Sequence, residues 1–184
     1  MNILAISGSL RAASINSTLL RATARLAPPD MRIELFADLG DLPLFNPDIE
    51  ASDPAPVAAL RARIIAADAV LIASPEYAHG ITGVLKNALD WMVGSAAFID
   101  KPVALLNAAP RAMHAQAALR EVLTVMSSRL IEAACITVPV HGAQLTEDGI
   151  AADARISNAL RSALRALRDG CETHQRDQYV AARG

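Results

Sequence analysis

Residues 68–91 read DAVLIASPEYAHGITGVLKNALDW: an apolar run, a polar loop, then a helix with no break. Ala69–Ala73 carries no polar residue and is short, which suits a strand covered on both faces. Pro75 holds Ser74 extended and stops the run. Over residues 82–93, Val84, Leu85, Ala88 and Leu89 recur at helical spacing and form a packing face. Strand, short loop and helix in this order make half of a βαβ unit, so the question is whether the rest of the chain repeats it.

It does. Residues 2–7, 31–36, 102–107 and 130–138 are further strand candidates, and 16–27, 55–67, 112–128 and 152–168 are helix candidates. In the fourth helix the apolar stripe is Ala115, Ala118, Leu119, Val122, Leu123 and Met126. In the last, Ile156, Leu160, Ala163, Leu164 and Leu167 face inward, the arginines lie on the wet side, and Gly170 is read as the stop. Residues 38–53 read as a long loop rich in Pro and Asp. Five strands in this rhythm predict an α/β fold: a parallel five-stranded sheet in the order 2-1-3-4-5, sandwiched by helices in three layers. In that order the chain changes direction across the sheet between the first and third strands. Ligands bind outside the carboxyl ends of the strands at that switch point. The two loops to search are therefore those after strands one and three.

Length and composition set the frame. The 184 residues suit one domain, with residues 171–184 as a polar tail that is either mobile or packed on a partner subunit. Apolar residues make up 53% but aromatics only 3%, so the core packs small side chains closely. No apolar run approaches the roughly 20 residues of a membrane span, and no leader pattern precedes the first strand. A net charge of −2 without blocks of like charge argues against a nucleic-acid or membrane surface. Cys135 and Cys171 lie far apart and read as free thiols of a reducing cytosol. His79, His114, His141 and His174 show no metal-ligand spacing, so no metal is expected.

The loop after the first strand reads Ser7-Gly8-Ser9-Leu10-Arg11-Ala12-Ala13-Ser14-Ile15-Asn16-Ser17. Unpaired N–H groups at the helix start attract a phosphate; hydroxyls and an amide can complete the cage, and Arg11 can add a charge-assisted bond. The loop is neither GxGxxG nor a P-loop, so a nucleoside triphosphate is not expected. Taken singly, Ser14 or Asn16 reads first as a helix cap and Arg11 as solvated; taken together at the switch point, the set favours a phosphate site. In the second loop, Gly80 and Gly83 allow close approach or positive φ, and exposed backbone amides beside Tyr77 suit a flat heterocycle with polar edges. Glu76 reads alternatively as a helix cap or the partner of a lysine. His79 reads alternatively as a surface residue, Trp91 as core or subunit interface, and Lys86-Asn87 as a solvated helix face.

Together, GSLRAASINSTLL and SPEYAHGITGVLKNALDW resemble the NADPH-dependent FMN reductase family, flavodoxin-like quinone, azo-dye and chromate reductases, and DLPLFNPDIE (41–50) resembles it too. The resemblance implies that Ser9, Arg11, Ser14, Asn16 and Ser17 hold the FMN phosphate, and that Pro75, Glu76, Tyr77, His79 and Gly80 line the isoalloxazine. It implies that NADPH and then a small acceptor, a quinone, an azo compound or free flavin, occupy the same open face in turn. No catalytic side chain is needed, because the hydride chemistry belongs to the cofactor. It also implies a cytoplasmic homodimer or homotetramer. Three positions depart from the family pattern: asparagine is usual near Ala78-His79, proline is usual where this chain has Thr82, and the loop 107–111 reads Asn-Ala-Ala-Pro-Arg where glycine and serine are usual. The alternatives are a flavodoxin-type electron carrier, against which the charge of −2 and Arg11 count, and a regulatory domain that has lost its flavin.

Overall fold

The structure, a computed structural model, describes residues 1–140 and 146–181, with side chains to residue 173; His141 and the side chain of His174 lie outside the described residues. In chain order the elements are β1 (Asn2–Ser7), α1 (Ile15–Leu26), β2 (Arg32–Phe36), α2 (Pro47–Glu50), α3 (Ala55–Ala66), β3 (Ala69–Ala73), β4 (Glu76–Tyr77), β5 (Gly80–Ile81), α4 (Gly83–Val93), β6 (Pro102–Asn107), α5 (Met113–Val125), β7 (Arg129–Leu130), β8 (Ile136–Thr137), α6 (Glu147–Ala152) and α7 (Ala154–Ala181). The main sheet runs β2-β1-β3-β6-β7, with β8 also on β6, and every pairing is parallel. This is the expected 2-1-3-4-5 order.

Alternation along the strands makes two cores. Leu4, Ile6, Val70, Ile72, Val103 and Leu105 meet α3, α4 and α5 through Leu60, Ile64, Leu85, Leu89, Leu119 and Leu123. Ile3, Ala5, Ala69, Leu71, Ala73, Ala104 and Leu106 meet α1 and α7 through Leu19, Leu20, Leu160 and Leu164. The second face is built largely of alanine, which lets those helices lie close on the sheet.

Four expectations differ from the structure. The strand expected over 130–138 is cut in two by a tight turn at Glu132–Ala134, and the freed Leu105 N–H donates instead to the Cys135 sulfur at 3.4 Å. Gly170 does not stop the last helix; α7 continues to Ala181. Gly170 is there for close packing, since an added Cβ would lie 2.8 Å from Ile131 Cδ1, and its carbonyl accepts from the Arg129 guanidinium. Ala118 is exposed although it falls in the apolar stripe of α5. The segment 38–53 is not plain loop either: it holds a short 3-10 turn at Asp38–Asp41 and the single turn of α2.

Candidate active site

The switch point is a place where two loops touch. Gly8 follows β1, and its N–H donates to the Ala73 carbonyl at 2.8 Å. A Cβ on Gly8 would sit 2.2 Å from Ser74 Oγ and 2.7 Å from Ser74 Cβ, so only glycine fits. From the far end of the second loop, Thr82 Oγ1 donates to the Gly8 carbonyl at 2.7 Å, and both Thr82 and Ser74 are buried. Thr82 precedes α4 but spends its hydroxyl across the cleft, where proline, usual in the resemblance, could not reach. Sequence reasoning missed this residue.

The first loop then turns into α1. Ser14 is the N-cap, with extended backbone and its Oγ accepting from Ser17 N–H at 3.4 Å. Asn16, the other candidate cap, instead lies inside the first turn. The residue is only 4% exposed, and its amide makes no hydrogen bond among the described residues. Ser17 Oγ shares a hydrogen bond with Ser7 Oγ at 2.8 Å, and Ser9 Oγ accepts from Arg11 N–H at 3.3 Å. Arg11 is exposed and unpaired among the described residues. The first turn of α1 carries no acidic residue. The Asn16 amide, hydroxyls and free helix N–H groups fit a phosphate monoester, and nothing of negative charge in that turn opposes one. All five residues of the expected first set thus surround one helix end.

The second set lies on a small antiparallel hairpin. Glu76 pairs with Ile81 and Tyr77 with Gly80, leaving Ala78-His79 as a two-residue turn. Both turn residues have positive φ, 47° and 62°, the pattern of a type I′ turn. The left-handed conformation expected at a glycine therefore falls on Ala78 and His79. Each non-glycine residue there costs roughly 1–2 kcal/mol, less for asparagine. Ala78→Asn is accordingly expected to stabilise the protein by about 1 kcal/mol, visible as a higher urea midpoint at unchanged slope; no gain would mean the turn is not held in this form.

The side chains of the hairpin reach outward. Glu76 Oε2 accepts from the Ala115 N–H at 2.8 Å, in the first turn of α5. Ala112 offers α5 no side-chain cap, so Glu76 supplies it. Its carboxylate is therefore committed to α5, as the helix-cap reading has it, though the helix is not the adjacent one. The His79 ring lies against His114, with centroids 4.3 Å apart and planes tilted by 39°. Pro75 is half-buried and Tyr77 is 61% exposed. Asn107 ends β6 at the same edge of the sheet, is buried, and accepts from Ala109 N–H through Oδ1 at 3.0 Å. It opens the 107–111 loop, where the chain departs from the family pattern.

The KNALDW part of the motif has a different task. Asn87 Nδ2 and Trp91 Nε1 both donate to the Pro43 carbonyl, at 2.9 and 2.7 Å, and Asn87 Oδ1 accepts from Phe45 N–H at 2.7 Å. Phe45 meets the Trp91 ring edge to face at 5.2 Å. The residue read as part of a solvated face is a clamp on the 41–50 segment, and Trp91 is core. Lys86 does remain at the surface, paired with Asp90.

Neither thiol is poised to attack. Burial pushes the Cys135 thiol up and carries Cys171 to about 11, so both are protonated near neutrality. Among the described residues no group of three or more His, Cys, Asp or Glu could hold a metal ion, and no helix is long and apolar enough to cross a membrane.

The sheet order, the touching loops and the free helix end define a flavodoxin-like protein with its candidate site at the switch point. More narrowly, the chain belongs to the NADPH-dependent FMN reductase family, whose model matches residues 1–143. Over 111 residues it is 47% identical to the NAD(P)H-dependent FMN reductase of Pseudomonas aeruginosa, covering 59% of this chain and 60% of that one. Over 96 residues it is 49% identical to a probable NADPH:quinone oxidoreductase of Oryza sativa, covering 50% of this chain and 47% of the relative. The chain thus spans about half to three-fifths of these relatives' length. Among solved structures it resembles the flavoenzyme NAD(P)H:(acceptor) oxidoreductase of Paracoccus denitrificans, with a TM-score of 0.78, 29% identity, and coverage of 94% of this chain and 98% of the other.

Proposed function

We propose that this chain is an FMN-dependent NAD(P)H oxidoreductase that reduces quinones or other small acceptors, free flavin among them. The observation that carries the proposal is the contact of the two loops at Gly8 and Ser74, which sets a phosphate cradle beside a hairpin rim. Bound FMN supplies the hydride chemistry. The chain's own part is binding and orientation. Ser14, Asn16 and Ser17 hold the phosphate at the α1 N-terminus, with Ser9 shaping the loop and Arg11 closing it from solvent. Pro75, Glu76, Tyr77, His79 and Gly80 form the hairpin that lines the ring, and Tyr77 stands at its rim. The relatives' names support an NAD(P)H donor and a quinone or flavin acceptor. Two protonated thiols agree with a protein that lends no nucleophile of its own. We place it in the cytoplasm, as a single domain that assembles as a homodimer or homotetramer.

The test is a visible spectrum of the purified protein followed by anaerobic NADPH. Flavin bands that bleach on addition are expected, as is oxidation of NADPH by a quinone without any partner protein. A colourless protein whose melting temperature does not rise with added FMN would overturn the proposal, because a ligand of the native state must raise stability.

A further inference from the structure

We propose that His79 and His114 are a positioning pair: their stacked rings hold the flavin-facing hairpin closed against α5, and the hold weakens in acid. The inference rests on the reading of the hairpin as the flavin rim.

The hairpin needs an external hold. Two successive residues at its tip, Ala78 and His79, sit in left-handed backbone, and only two ladder pairs tie its strands. Strained positions of this kind persist where the surroundings over-determine them. Among the contacts that join the hairpin to α5 are the Glu76 carboxylate on the Ala115 N–H and the His79 ring on the His114 ring. Both imidazoles are exposed, and neither has a hydrogen-bond partner among the described residues, so stacking is their contact with each other. The strained residue His79 is thus itself one half of the contact.

Charge decides when that contact holds. Uncharged rings at 4.3 Å attract by packing; two imidazolium rings at that distance repel. His114 is the second residue of α5. The charged and titratable groups of the packed elements are Glu76 and Tyr77 on the hairpin, Arg111 before α5, and Arg120 and Glu121 along it. Glu76 is held by the Ala115 N–H, and Arg120 is paired with Glu132. The carboxylate that reaches this turn of α5 is therefore already engaged by the backbone. The sign follows: the closed hairpin is favoured while the rings are neutral and is lost as pH falls and both charge.

The experiment compares wild type with His114→Gln and His79→Asn, the latter keeping a residue that tolerates the left-handed turn. The dissociation constant of FMN is measured by fluorescence quenching from pH 8 to pH 5.5, together with the hydrogen-exchange protection factor of the Ala115 amide in the flavin-free protein. FMN's own phosphate also titrates in this range, and the variants carry that background equally. Wild type is expected to lose about tenfold more affinity than either variant over the range, and about tenfold in Ala115 protection. Parallel pH profiles for wild type and variants would overturn the pair. Protection at Ala115 that falls with pH in wild type alone, while FMN affinity does not follow, would keep the pair and defeat the flavin reading of the hairpin. Should the protein bind no FMN at any pH, the exchange profile decides the pair by itself.

Discussion

Gly8→Ala is expected to abolish the site while leaving most of the sheet intact. One methyl group is enough, because the conflict is spatial: the added Cβ would lie 2.2 Å from Ser74 Oγ, 2.7 Å from its Cβ and 3.2 Å from its Cα. The hydroxyl can rotate away, but Cβ and Cα move only with the backbone of the second loop. That backbone is pinned on both sides, by Gly8 N–H on the Ala73 carbonyl and by Thr82 Oγ1 on the Gly8 carbonyl. Relief therefore requires that the loops part at the point where phosphate cradle and hairpin rim meet. Overpacking of this sort costs about 1–3 kcal/mol of stability. The functional loss should be larger, at least about 100-fold in FMN affinity, since both halves of the site are displaced. A urea melt and a flavin titration on the same preparation separate the two effects. Unchanged FMN affinity in a destabilised protein would show that the flavin does not depend on this contact.

The sheet order was readable because each central strand is an unbroken apolar run, and burial on both faces leaves no other use for such runs. The helices between them have plain stripes, so the switch point and its two loops followed without a motif. Ser14 was readable as a cap because helix-end chemistry is local: cap, hydroxyls and arginine lie within ten residues. What stayed hidden depends on distant partners. Nothing near Thr82 says that its hydroxyl crosses to Gly8, and nothing near Glu76 says that its carboxylate caps a helix nearly forty residues on. Glycine misled in both directions. Of the two uses read for Gly80 and Gly83, close approach or positive φ, neither adopts a left-handed φ, and Ala78-His79 adopts it because the two-residue hairpin imposes it. Gly170 suggested a helix end, but α7 needs it to pass Ile131. The split of the last strand is of the same kind, since it shows only in the ladder, where a thiol replaces a carbonyl as acceptor.

Trp91→Ala is expected to be among the most destabilising single changes in the chain, about 3–5 kcal/mol, as for other buried large aromatics. Trp91 is 3% exposed and belongs to the core shared by α3, α4 and α5. It also carries the edge-to-face contact with Phe45 and one of two hydrogen bonds to the Pro43 carbonyl. Trp91→Phe separates these contributions. It keeps most of the ring packing, and the Pro43 carbonyl still accepts from Asn87, so the loss should be only about 1 kcal/mol. Asn87→Leu behaves differently, because it orphans the Phe45 N–H as well, and about 1–3 kcal/mol is expected. Losses that fall in the order Trp91→Ala, then Asn87→Leu, then Trp91→Phe are the signature of a clamp; equal losses would mean simple core volume. The clamp also reaches the site. The 41–50 segment follows Gly40, whose place for a Cβ is filled by Leu10 at 3.3 Å, and Leu10 belongs to the phosphate loop. Releasing the segment is therefore expected to loosen the Leu10–Gly40 contact as well. Trp91→Ala should lose about tenfold in FMN affinity at temperatures where it remains folded, whereas Trp91→Phe should lose almost none. One helix thus serves two places: α4 presents the hairpin at its start and, two turns later, holds the Pro43–Phe45 stretch through Asn87 and Trp91.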